Sequence, residues 1–239
     1  ELVELFLDAQ VQENDRVRKM LVAVARRCEA ETQAAQELAR RPASVMDAEM
    51  RRSLLRTLGE LGDDSGLPPL RAALNDEDKQ VRRAAILALS DWPNVTPLSD
   101  LLAVARDAGD KTHAVLALRG YIDLAKLPGA MLPEVRLQCY QTAVGLASSS
   151  AEKRQVLAAL PDIKTVAALQ FAELSLADES VKQEAALAAV TIAREVYTRD
   201  GDAVKTVLER VVAADVRSDI KEQAQATLAE IEAVRSYLL

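Results

Sequence analysis

"NDEDKQVRRAAILALSDWP", residues 75–93, places a cluster of acids ahead of Val81-Arg82 and then a nearly unbroken run of alanine, isoleucine and leucine. Weaker copies of the same pattern follow at residues 176–193 and 217–231. Acids that lead into an apolar run of this length are typical of the start of an α-helix. Because the pattern recurs, we interpret it as a structural unit rather than a chemical site.

The Val81-Arg82 step recurs along the whole chain, with a cation ahead of each apolar run. The successive cations lie 33, 31, 31, 41, 28 and 39 residues apart. We call these seven residues the cation ridge: Arg18, Arg51, Arg82, His113, Arg154, Lys182 and Lys221. A period of about 30 to 40 residues predicts stacked pairs of helices.

Each cation is predicted to lie near the start of the second helix of a pair. The first helices are expected near 2–12, 30–41, 65–75, 95–107, 132–147, 163–176 and 202–214. The second helices are expected near 15–28, 48–61, 77–91, 110–126, 151–160, 178–198 and 217–236. The sequence thus predicts an all-α fold of about seven helical pairs, in one repeat domain over residues 1–239.

Composition and charge limit the core and the partners. Of the 239 residues, 49% are hydrophobic but only 3% are aromatic, so alanine and leucine have to build the core. The net charge of −7 disfavours nucleic acid as a partner. No apolar run approaches the roughly 20 residues that span a bilayer, so no membrane insertion is expected.

The stretch at residues 74–89 resembles the HEAT repeat, because Asp76 and Asp78 precede Val81-Arg82 and the apolar second helix. The resemblance runs in register along the chain, and it departs at Thr112-His113 and Lys153-Arg154. It implies a right-handed α-α superhelix of the armadillo type, a solenoid whose concave face is lined by the second helices.

Residues 152–195 also look like HEAT modules attached to larger bacterial proteins, notably sugar-acting or redox polypeptides of the planctomycete type. This resemblance implies an accessory segment and favours an extracytoplasmic location. The chain begins at Glu1 without methionine, so we also expect it to be a fragment of a longer polypeptide.

Candidate chemistry is sparse in this sequence. His113 is the only histidine, whereas a zinc or iron site needs three or four converging ligands. The sequence also lacks the paired His-Glu dipeptides with which HEAT-fold hydroxylases hold iron. The glycines of residues 58–66 are not followed by the lysine of a phosphate-binding loop, so we interpret them as a helix end and turn. Ser148–Ser150 read as a turn and helix cap. We predict no catalytic, cofactor-binding or metal-binding residues.

The cation ridge has two interpretations. In the first, its members form a ladder of contacts between layers with acids such as Asp78 and Asp178. In the second, they line a groove that holds an acidic segment of a partner.

Three functions are compatible with these features. The preferred one is a non-catalytic scaffold that docks a protein or another domain of the same parent chain. The second is an enzyme of HEAT fold that acts on nucleic acid, like a DNA glycosylase. Trp92 is the only tryptophan of the chain, and we interpret it as a packing residue, which disfavours this function. A structural spacer beside a catalytic domain is the third. We therefore predict that the protein is not an enzyme.

Overall fold

A computed structural model describes Glu4 and residues 11–41, 46–107 and 109–237. The chain divides into two compact units, residues 1–130 and 131–239. In the described residues the regular structure consists of thirteen α-helices and two short 3₁₀ helices, without a strand. The prediction of an all-α fold is confirmed.

Unit 1 is a stack of helices in which second helices pack side by side. Its α-helices are α1 (Val11–Arg27), α2 (Glu31–Ala39), α3 (Ala48–Leu61), α4 (Leu67–Ala73), α5 (Lys79–Ser90), α6 (Leu98–Arg106) and α7 (Lys111–Ala125). The pairs are α2 with α3, α4 with α5 and α6 with α7, and the second helices α1, α3, α5 and α7 contact one another in that order. A 3₁₀ helix at Asp64–Gly66 precedes α4.

Unit 2 has the same plan. Its α-helices are α8 (Pro133–Leu146), α9 (Ser150–Ala159), α10 (Val166–Ser175), α11 (Lys182–Val196), α12 (Gly201–Ala213) and α13 (Ser218–Tyr237). They pack as the pairs α8/α9, α10/α11 and α12/α13, and the second helices α9, α11 and α13 contact in sequence. A 3₁₀ helix at Leu160–Asp162 follows α9.

Carboxylate caps fix where the second helices of unit 1 begin. The side chain of Asp47 accepts a hydrogen bond from the N–H of the third residue ahead of it, at the start of α3. Asp78 and Asp110 each accept from the two N–H groups that lie two and three residues ahead, at the starts of α5 and α7. These contacts satisfy amide groups that have no partner inside the helix. The acids that precede the apolar runs therefore act as caps.

Helix α11 is apolar on two sides, as its sequence predicts. All eight residues of its two stripes are at most 2% exposed: Val181, Ala185, Ala188, Ile192 and Val196 in one, and Ala186, Ala189 and Ala193 in the other. A helix buried on both sides has to lie between neighbours. Here the neighbours are α10, α12, α13 and α9.

Small residues let the second helices of unit 1 approach closely. A Cβ atom added to Gly59 in α3 would lie 2.7 Å from Cβ of Ala88 in α5. One added to Gly120 in α7 would lie 1.9 Å from Oγ of Ser90, at the end of α5. Neither position can hold a larger side chain unless the helices move apart.

The predicted helix limits agree closely with the structure. The largest shifts are at α11, predicted from residue 178 but beginning at Lys182, and at α1, predicted from residue 15 but beginning at Val11. Helix α11 starts late because the Asp178 carboxylate accepts hydrogen bonds from the N–H and hydroxyl of Ser180, which hold a turn there. The helix predicted at 2–12 lies mostly outside the described residues.

Two expectations about the assembled chain stay predictions: the single repeat domain over residues 1–239 and the right-handed sense of the superhelix.

Among the helices that the structure describes, none is both long enough and apolar enough to cross a membrane.

Candidate functional site

The structure places the cation ridge on the second helices. Arg51, Arg82 and His113 lie in the first turns of α3, α5 and α7, and Arg154, Lys182 and Lys221 lie near the starts of α9, α11 and α13. Arg18 lies further inside its helix, because α1 begins earlier than predicted.

In unit 1, ridge arginines reach to the acids of the following layer. Nε of Arg51 lies 3.1 Å from a carboxylate oxygen of Asp76, and its other nitrogens donate to that carboxylate and to the carbonyl of Met46. Arg82 donates to the carbonyls of Asp76 and Glu77 at 2.6 and 3.2 Å. It also lies 3.8 Å from the carboxylate of Asp110 in the next layer.

Arg18 is the most buried arginine of the ridge, at 7% exposed. It forms ion pairs with Asp15 in its own helix and with Glu60 near the end of α3. A buried guanidinium is stabilised only when carboxylates or carbonyls surround it. The two carboxylates supply that here.

His113 pairs with an acid of its own layer. Its Nδ1 lies 3.0 Å from Asp110, the acid that caps the same helix, and the residue is 7% exposed. The same carboxylate faces Arg82, so Asp110 serves as cap and as ion-pair partner.

In unit 2 the ridge contacts are less regular. Arg154 lies 2.9 Å from Glu184 and donates to the carbonyl of Ser180 at 3.0 Å. Lys182 pairs with Glu179 in the preceding turn. Lys221 makes no ion pair with a residue that the structure describes. Lys153, one residue before the ridge position, instead makes the 2.7 Å contact with Asp178.

The acids that face these cations are held in the charged form. Hydrogen bonds from Lys153 and from Ser180 lower the pKa of Asp178 to about 2. Hydrogen bonds from Arg18 and Lys19 likewise lower the pKa of Asp15 to about 2. The backbone N–H of His113 lowers the pKa of Asp110 below its usual range. Each shift reflects donors that stabilise a carboxylate.

Most members of the ridge are already engaged with oxygen atoms, which leaves few of their donors for a ligand. The ladder interpretation stays a prediction that substitution of Arg82 can test.

A different set of arginines lines an open groove of about 560 Å³ in unit 1. We call this the arginine groove, and its cations are Arg26, Arg52, Arg56 and Arg83. Helices α1, α3 and α5 form it, and Gly59, Ala84 and Ala88 contribute small residues.

Sequence reasoning missed the arginine groove. The signal was present in the doublets Arg51-Arg52 and Arg82-Arg83. Neighbouring residues on a helix point about 100° apart, so the second arginine of each doublet faces a different surface from the first.

The other sequence candidates have structural roles in the described residues. Trp92 is 2% exposed, and its Nε1 donates to Asp64 at 3.2 Å across the junction between two layers. Gly62 ends α3 with a positive φ of 67°. Glu152 accepts from the N–H of Ser149, which caps α9. No group of three or more His, Cys, Asp or Glu among the described side chains is placed to hold a metal ion.

Residues 36–119 match the family model of HEAT repeats. This segment runs from α2 to α7 and includes the stretch whose resemblance to the HEAT repeat was predicted. Over this segment the chain is similar to HEAT repeats, and its helices form a solenoid of helical pairs. A comparison with curated proteins found no match.

Two solved structures are similar to nearly the whole chain. Human deoxyhypusine hydroxylase in complex with glycerol is 17% identical, with a TM-score of 0.43, and the match covers 97% of this chain and 95% of that chain. An engineered protein is 18% identical, with a TM-score of 0.40 and the same coverage of both chains.

The prediction that the protein is not an enzyme is wrong as stated, because one of the structures similar to it is that of an enzyme. The absence of histidine pairs and glycine-rich loops excluded particular chemistries, not catalysis as a whole. At 17% identity the similarity concerns the fold and assigns no activity to this chain.

Proposed function

We propose that this chain is a docking scaffold that holds a protein partner, or another domain of the same parent polypeptide, on the exposed face of its second helices in unit 1. The arginine groove carries the proposal. Its volume of about 560 Å³ lies within the range of roughly 300 to 1,000 Å³ that is usual for ligand sites.

The stacking of helical pairs supports this proposal. Helices α3 and α5 each pack against their own first helix and against a second helix on either side. Arg56 on α3 and Arg83 and Leu87 on α5 are exposed, so one side of each helix faces solvent. The row α1, α3, α5 thus offers a continuous surface made from three layers. Surfaces of this kind are used for binding in repeat proteins.

Exposed apolar side chains on the same helices also favour a protein partner. Met20 and Val24 on α1 are 48% and 39% exposed, and Leu87 on α5 is 39% exposed. Methionine and arginine are both enriched in protein interfaces. An interface here would combine arginine contacts with burial of these apolar side chains.

Site-specific photo-crosslinking in cells that express the protein tests the proposal. A photoreactive residue in place of Leu87 is expected to yield a discrete crosslink, to a partner protein or to another domain of the same polypeptide. The same residue in place of Ser99, which is exposed on the first helix α6, serves as the control. Equal crosslinking from both positions, or none from Leu87, would contradict docking at this face.

A further inference from the structure

We infer that the arginine groove binds an acidic segment of protein chain, one that carries an apolar side chain between its carboxylates. This inference rests on the proposed docking function and specifies the chemistry of the partner. It also assigns the acidic ligand to residues other than the cation ridge, where the sequence placed it.

Two walls of the groove carry the arginines. Arg52 and Arg56 lie four residues apart on α3 and therefore share one face of that helix. Arg83 and Leu87 have the same spacing on α5 and share the facing side. A segment lying between the helices would meet guanidinium groups from both walls.

The floor between these walls is made of the small residues Gly59, Ala84 and Ala88. Gly59 of α3 has no Cβ, and the space that a Cβ would occupy is already taken by Ala88 of α5. The much longer side chains of the four arginines line the same groove. The groove can therefore admit a chain segment without movement of the helices.

Two of the four arginines are already engaged within the protein, and the other two can bind a ligand. Arg26 donates to the carbonyl of Glu60 at 2.6 Å, and Arg52 pairs with Glu49. Arg56 and Arg83 are exposed, and neither makes an ion pair with a residue that the structure describes. Guanidinium groups bind carboxylates through two parallel hydrogen bonds, so these two are suited to glutamate or aspartate.

Leu87 gives the groove an apolar contact beside its charges. It is 39% exposed and lines the groove together with Pro93. A leucine or similar side chain of the ligand would be partly removed from water against them. This contact distinguishes the expected ligand from a simple polyanion.

The lining favours an acidic protein segment over a nucleic acid. It includes the acids Glu60 and Asp91, which would repel an evenly charged phosphate backbone. Its described residues include no aromatic side chain, whereas sites for single-stranded nucleic acid usually stack bases on aromatic rings. A protein segment can place its carboxylates at the arginines and avoid the two acids.

Fluorescence anisotropy with the full chain tests the inference. The probe is a short fluorescein-labelled peptide of glutamates around one central leucine, and a lysine version of the peptide serves as the charge control. We expect saturable binding of the glutamate peptide alone, weakened by salt. Arg56→Ala and Arg83→Ala should each weaken it by about tenfold, with an unchanged melting temperature.

Lys111→Ala is the matched control variant. Lys111 is exposed on α7 outside the groove, so its loss changes the net charge equally. Binding that falls as much in this variant as in Arg83→Ala would overturn the inference, since the attraction would then be nonspecific. Tighter binding of a single-stranded oligonucleotide than of the peptide would overturn it in favour of nucleic acid.

The docking proposal and this inference can fail separately. If Leu87 crosslinks to a protein and the crosslink survives in the double variant Arg56→Ala/Arg83→Ala, docking stands and the acidic ligand is refuted. If the peptide does not bind and Leu87 gives no crosslink, both are refuted.

Discussion

Adjacent residues in this chain serve different purposes, and Arg82 and Arg83 are the clearest case. Arg82 is half-buried and donates to two backbone carbonyls in the turn just before α5. Arg83 is exposed and lines the arginine groove. Reversal of the charge at each position should therefore affect different properties of the protein.

Arg82→Glu should lower the free energy of unfolding by roughly 1 to 2 kcal/mol, because it removes the hydrogen bonds from Arg82 to the carbonyls of Asp76 and Glu77 and adds a carboxylate near Asp110. Urea denaturation of this variant and of Arg83→Glu gives the comparison. Arg83→Glu should unfold at nearly the midpoint of the unchanged protein. Equal midpoints for the two variants would refute the ladder interpretation.

The Asp178–Lys153 contact should make stability depend on pH. The pKa of Asp178 is lowered from its usual 3.8 to about 2 in the folded chain, so the carboxylate stabilises the fold above pH 4. This stabilisation is lost as the pH falls towards 2. Urea midpoints between pH 5 and 2 should therefore show Asp178→Asn approaching the unchanged protein as the pH falls.

Lys153→Gln supplies the control for that titration, because the Lys153 hydrogen bond is the largest cause of the shift. In this background Asp178→Asn should produce a smaller difference at pH 5. A difference that stays constant from pH 5 to 2 would show that the carboxylate charge is not involved.

At the level of the helix, α11 shows how little space separates the layers. Its buried stripes consist mainly of alanine, and its neighbours contact it on several sides. In such a position the cost of a larger side chain comes from displacement of whole helices.

Ala185→Phe should destabilise the protein by about 1 to 3 kcal/mol, since Ala185 is 0% exposed. Ala151→Phe is the matched control, because Ala151 is exposed in the first turn of α9. Denaturant midpoints measured on both variants should differ clearly. Similar midpoints would mean that the assigned face of α11 is wrong.

The helices were predictable from sequence because their signals are local. Asp78 and Asp110 indicate where helices start, and the spacing of Ala185, Ala188 and Ile192 predicts a buried stripe on one helix. The arginine groove was not predictable in this way, since it depends on how α1, α3 and α5 lie beside one another. The contact of Gly59 with Ala88 joins residues far apart in sequence, and no periodicity specifies it.

For the whole molecule, charge is the property that governs the choice of partners. The chain has 37 acids and 30 lysine or arginine residues, so its field repels phosphate at long range. The basic character of the arginine groove is therefore local, and it should act only on ligands that come close. A long polyanion such as DNA would also meet the acids Glu60 and Asp91 in the lining of the groove.

DNA binding should accordingly be weak and should not depend on the cation ridge. Titration of a labelled duplex at low and high salt should show no binding at submicromolar protein concentrations. Submicromolar affinity that falls steeply with salt, and that Arg82→Glu abolishes without a change in melting temperature, would reverse this expectation.

Arg51 and Arg82 each contact an acid of the next layer along the chain. These contacts bear on how a chain of this kind can gain layers. The layer of α4 and α5 offers Asp76 to the preceding arginine and presents Arg82 to the following acid. A tandem duplicate of this layer would carry a matching carboxylate and guanidinium at its two edges. Gene segments that encode whole layers can thus be gained without leaving an unmatched charge inside the stack, whereas insertion of part of a layer would leave one.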